Sequence, residues 1–121
     1  MPFKERFELL LASGQANEQS VIATKLAIDL VEDHYGIQIT EELGASLVNH
    51  LATTLKRLLD GRTLSEASDV VWEELRDFPE EYALAESIVA ELQKNLKIPL
   101  GHDELGFIGI HLCKIKIESA Q

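Results

Sequence analysis

Apolar residues along this chain recur at intervals of three and four, and no segment sustains the alternation of a half-buried strand, so the pattern reads as helix throughout. Phe3, Phe7, Leu10 and Leu11 mark one or two amphipathic turns closed by Ser13-Gly14. Asn17 then stands as an N-cap, and Val21, Leu26, Ala27, Leu30 and Val31 carry a helix to His34-Tyr35-Gly36, with Gly36 at C′. Thr40 with Glu41 and Glu42 opens the next helix, whose stripe is Leu43, Leu47, Val48, Leu51, Leu55 and Leu58, and Asp60-Gly61 stops it. A polar loop over 61–68 ends at Ser68 as a cap, and Val70, Val71, Trp72 and Leu75 predict a shorter helix that stops before Phe78-Pro79. Pro79 suits the first position of a long helix marked by Tyr82, Ala85, Ile88, Val89, Leu92 and Leu96. Residues 97–101 link it to a last helix over 100–117. The expected fold is all-α: a five-helix bundle over 17–117, preceded by a short N-terminal helical arm over 1–16 and followed by a tail over 118–121.

The last stretch, LGHDELGFIGIHLCKIKI, organises the rest. Asp103 and Glu104 fall in its first turn, where the macrodipole favours negative charge. Gly106 and Gly109 follow, about one turn apart, and each costs the helix roughly 0.5–1 kcal/mol relative to alanine. A helix that carries both is expected to have a neighbour pressed close against it. Glu104 and His111 are seven apart and nearly eclipsed, with Phe107, Ile108, Leu112 and Ile115 on the same face. The residues alone leave two readings of His111 open: a core histidine satisfied by a hydrogen bond, or a titratable group at a hydrophobic surface.

The chain has 121 residues, enough for one domain with a real core. Its single cysteine, Cys113, excludes an intrachain disulfide and suits a reducing cytoplasm. No apolar run reaches membrane-spanning length, and the start MPFKERFELLLASG lacks the apolar core of an export signal. The expected location is therefore the cytoplasm. Net charge is −10, from 21 acidic and 11 basic side chains, with no basic block, which opposes the phosphate attraction behind nucleic-acid affinity. Direct nucleic-acid binding is not expected.

Several chemistries lack support. The histidines, at 34, 50, 102 and 111, match no metal-ligand spacing, and a site built from His50, His111 and Glu104 would rest on proximity alone. No phosphate-cradling glycine loop and no G-x-S-x-G setting occurs. The acidic pairs Glu41-Glu42, Glu73-Glu74 and Glu80-Glu81 read as solvated helix faces or as charge at helix N-termini. His50 and His111 remain, with Arg57 seven residues after His50 and so within about 20° of it around the helix. An imidazole nitrogen can accept a phosphoryl group, and a guanidinium can grip one with a charge-assisted fork. Arg57 reads equally as a surface arginine paired with Asp60 or a neighbouring Glu. His34 and His102 read as helix-end residues.

Three blocks in order resemble one family: LVNHLATTLKR, with Arg57 seven after the histidine; FPEEYALAESIVAELQ, a Pro-x-x-Tyr-x-x-Ala helix start; and HDELGFIGIHL, an acidic-Glu-x-Gly-Phe-Ile-x-x-His signature. Over about residues 17–117 the chain resembles the phosphotransferase-system regulation domain (PRD) of sugar-operon antiterminators and related activators. The resemblance implies a dimerising five-helix bundle in which His50 and His111 are phosphoacceptors. The implied donors are the phosphocarrier protein HPr or a sugar-specific enzyme II B component. Regulators of this kind usually hold two such domains and a nucleic-acid-binding module; this chain resembles the short members with one, for which the resemblance implies no particular output, so a changed dimer and a changed fit to a separate effector protein both stay open. Asn49 stands where some antiterminator domains have Asp.

The expected chemistry is phosphoryl transfer to a neutral imidazole of His111 or His50, with no cofactor and no metal. The chain is then a substrate and sensor, not an enzyme. Arg57 would hold the phosphoryl oxygens, Glu104 would orient the His111 ring, and Gly106 and Gly109 would admit a close helix or subunit. The alternative is a structural dimerisation or interaction module in which both histidines are inert.

Overall fold

The computed structural model describes residues 3–62 and 69–119. Every regular element among them is an α-helix: α1 (Lys4–Ala12), α2 (Glu18–Tyr35), α3 (Glu41–Leu59), α4 (Asp69–Arg76), α5 (Pro79–Leu96) and α6 (His102–Ser119). The all-α reading holds, and the helices follow the order expected. The last starts at His102 and continues to Ser119, shifted two residues from the expected span. The Ser68 cap and most of the polar loop before it lie outside the described residues. The chain forms two compact units, Met1–Leu64 with α1, α2 and α3, and Ser65–Gln121 with α4, α5 and α6.

In the first unit, local chemistry sets the helix ends. Asn17 Oδ1 accepts from Ser20 N–H at 2.8 Å while Ser20 Oγ accepts from Asn17 N–H at 3.0 Å, so two donors at the α2 start are satisfied reciprocally. Gly36 ends α2 in the left-handed region at φ 67°, where a Cβ would clash with its own backbone. Glu32 Oε2 then accepts from Ile39 N–H at 2.7 Å, tying the end of α2 to the entry of α3. Thr40 Oγ1 caps α3 by accepting from Leu43 N–H at 3.2 Å.

α2 and α3 pack together through Val21, Ala27, Ile28 and Val31 on one side and Leu47, Val48, Leu51 and Leu55 on the other, all buried. The N-terminal helix, expected as an arm, is built into this unit. Phe3 and Phe7 are 1% and 3% exposed, and their rings meet edge to face at 6.4 Å. Phe3 lies over Gly44 in the first turn of α3, and Lys25 stands over the Phe7 ring at 5.6 Å. Arg6 forms an ion pair with Glu41 and donates from Nη1 to Asn49 Oδ1 at 3.0 Å. Its guanidinium thus holds two points on α3, two turns apart.

In the second unit, α4, α5 and α6 pack on one another. Leu75, 2% exposed, lies over Gly109, where an added Cβ would stand 2.8 Å from Leu75 Cδ2. Trp72 stacks on the His102 ring with centroids 3.8 Å apart and planes 16° apart. One face of α4 therefore follows α6 from its first residue to Gly109. α5 ends on Lys97, at φ 59° a left-handed residue that is not glycine, and Gln93 Oε1 accepts from Leu100 N–H at 2.8 Å to fix the link.

One expectation is corrected here. The Glu80-Glu81 pair does put negative charge in the first turn of α5, but it is not a solvated face, because Glu81 is fully buried and its Oε1 accepts from Lys116 Nζ at 3.3 Å. Glu80 Oε2 lies 3.5 Å from the same ammonium. A charge withdrawn from water needs such a counterion, so this contact fixes α6 against the start of α5.

Candidate functional site

On α3, His50 and Arg57 leave the helix within about 20° of each other, as seven-residue spacing requires. They lie on a flank beside the buried Leu47, Leu51 and Leu55 stripe. Asn49, bound by Arg6, points about 100° away from His50, so α1 and Arg57 address different flanks of α3. His50 is half-buried and its Nε2 is shut off from solvent. Burial holds its pKa below the ordinary 6.5, and the positive charge of Arg57 pushes in the same direction. The imidazole is therefore kept neutral, with a lone pair, over a wider pH range. Arg57 is exposed. Asp60, one of its expected partners, instead accepts from Lys56 Nζ at 2.7 Å.

On α6, His102 and Gly109 face α4, and His111 leaves the helix about 180° from His102. His111 is half-buried, as is Phe107 one turn before it. Glu104 is 8% exposed and shares that side of the helix. Its carboxylate, however, turns to the helix start: a Cβ on Gly101 would stand 3.2 Å from Glu104 Oε2. Helical side chains slant toward the N-terminus, and two turns separate Glu104 from His111. Gly106 and Gly109 are both buried, and Leu75 makes its close approach at Gly109.

Two contacts near these residues escaped the sequence. Arg6 reaches Asn49 across 43 positions, and Trp72 stacks on His102, which sequence alone placed only at a helix end. Neither has a local signal, since each depends on how helices dock. Among the described residues no group of three or more His, Cys, Asp or Glu side chains is placed to hold a metal ion. Nor is any helix among them long and apolar enough to cross a membrane.

Comparison with known proteins agrees with the three sequence blocks. The chain matches the PRD domain over residues 25–114. It is also similar to Protein GlcT of Staphylococcus saprophyticus subsp. saprophyticus, 26% identical over 98 residues that cover 81% of this chain and 34% of that protein. The chain thus spans about a third of the length of this relative. No solved structure matches it. With the match running from the middle of α2 through most of α6, the chain belongs to the PRD domain family.

Proposed function

We propose that this chain is a phosphorylation-responsive regulatory domain of the sugar phosphotransferase system, accepting phosphoryl groups on His50 and His111. The observation that carries the reading is the His50–Arg57 pairing: a neutral imidazole, its proton affinity lowered by burial and by a guanidinium on the same helix line. Membership of the PRD domain family supports it. In the transfer, a lone pair on the acceptor imidazole attacks the phosphorus of a donor phosphohistidine. One N–P bond forms as the other breaks, the donor nitrogen recovers its electron pair, and the acceptor ring loses its N–H proton to water. Arg57 neutralises the phosphoryl oxygens. Glu104, buried on the same side of α6, is the residue that would orient the His111 ring.

The donors are HPr or a sugar-specific enzyme II B component, in the cytoplasm, and the chain is their substrate and no enzyme itself. A phosphoryl group on a half-buried histidine adds charge where the ring was packed, so its surroundings must rearrange. The output is a changed homodimer or a changed fit to a separate effector that controls transcription or antitermination.

One observation favours a second reading for His50. Its Nε2 lies inside, so attack through that nitrogen requires the ring to swing outward. A structural dimerisation module with inert histidines would also place it there. Intact mass after incubation with phosphoenolpyruvate, enzyme I and HPr, with and without a B component, separates the two. The expected result is a gain of one or two phosphoryl masses, reduced in His50→Ala and in His111→Ala. No gain with any donor leaves the structural module.

A further inference from the structure

α3 ends in a closure that ties the backbone of Arg62 to that of Arg57. Gly61 takes the left-handed conformation at φ 81°, its N–H donates to the Leu58 carbonyl at 3.0 Å, and Arg62 N–H donates to the Arg57 carbonyl at 3.0 Å. These are the two hydrogen bonds of a Schellman termination, which folds the chain back so that the residue after the glycine lies against the residue five before it. That contact is usually apolar. Here both members are arginines and both are exposed. Two exposed guanidiniums carried on backbones joined in this way repel each other where they approach, and an anion between them would remove that repulsion and could fill both forks. The carboxylate between them in sequence, Asp60, is engaged by Lys56 at 2.7 Å. Its pKa is lowered chiefly by that hydrogen bond, with lesser help from the charges of Lys56 and Arg62.

We propose that Arg62 is a second phosphoryl-binding residue, joined to Arg57 by the α3 closure in a two-guanidinium cradle on the helix line of His50. The cradle takes a tetrahedral oxyanion with at least two charges, and the identity of that anion as the phosphoryl group presented at His50 rests on the function proposed above. The geometry sets the division of labour. Arg57, one helical line from His50, meets the group first; Arg62, fixed through the backbone to Arg57, completes the grip from the far side.

The test has two arms. Nitrogen-15-labelled protein is titrated with inorganic phosphate, against sodium chloride of equal ionic strength, while the Nε–H signals of Arg57 and Arg62 are followed. Both signals are expected to move along one saturation curve, with Arg62→Ala weakening phosphate binding about tenfold and Arg62→Lys recovering part of it. An Arg62 signal that moves no more in phosphate than in chloride, or an unchanged dissociation constant in Arg62→Ala, overturns the cradle. In the second arm, the rate of phosphorylation at His50 is compared between the wild type and Arg62→Ala, with phosphorylation at His111 as internal control. A selective slowing at His50 supports the proposal, and equal rates overturn it while leaving the acceptor reading intact. A wild type that takes no phosphoryl group on His50 ends the acceptor reading alone, because the phosphate titration still decides whether Arg57 and Arg62 act as a pair.

Discussion

Phe3 and Gly44 are pressed together: a Cβ at position 44 would stand 2.8 Å from Phe3 Cζ and 2.5 Å from Ile39 Cγ2. Phe3 and Ile39 are each 1% exposed, so neither has free space to retreat into. Gly44→Ala gains helix propensity but overpacks this point, and we expect a net destabilisation of about 1–3 kcal/mol in urea unfolding. Gly44→Ala combined with Phe3→Leu should recover part of the loss.

His50 should titrate below 6.5. Its carbon-bound ring protons, followed by NMR, are expected to show the lowered value, and Arg57→Ala should raise it only part of the way because burial is the larger cause. The sign for stability follows. The unfolded chain binds this proton more readily than the folded one, so the neutral ring's contribution is complete above pH 6.5 and is lost as the pH falls through the lowered folded value. His50→Gln should flatten that part of the pH–stability curve.

Cys113 should be inert. Burial, then the nearby charges of Glu81 and Glu74, push its thiol up to about 11. At pH 8 it carries almost no thiolate, and a native sample treated with iodoacetamide should show no added mass. Modification should appear once denaturant exposes α6.

Lys116→Met should lower the thermal midpoint at neutral pH by leaving the buried Glu81 without this counterion. Glu81, and to a lesser degree Glu80, raise the Lys116 pKa above 10.5. The pair's contribution is therefore fully present below the unfolded value and is lost only as the pH rises through the raised one. Midpoints measured from pH 7 upward should show the wild type falling toward the variant only in strong alkali.

Helix positions were legible because their signals are local. Asn17, Thr40, Gly36, Gly61 and Pro79 act within one turn of where they stand, and each closes or opens a helix as its side chain dictates. The His50–Arg57 line was legible for the same reason, since helical spacing alone brings those residues to one flank. What needed the structure were contacts between helices. Nothing local distinguishes Glu81 from Glu80, yet one is fully buried and the other is exposed, although both carboxylates reach Lys116 on α6. Glu104 and His111 share a face by periodicity, but the slant of helical side chains sends the carboxylate to Gly101. Gly44 is crowded both by Ile39, five positions before it, and by Phe3, 41 positions away, and only the first of these is close in sequence.

The Trp72–His102 stack gives the molecule an optical gauge. The chain has one tryptophan, so its intrinsic fluorescence comes from a single indole lying flat on an imidazole at the start of α6. Any event that lifts α4 from α6 uncovers that indole to water and changes its emission. The docking of those two helices can thus be followed in real time, without a label, while a phosphoryl donor is added.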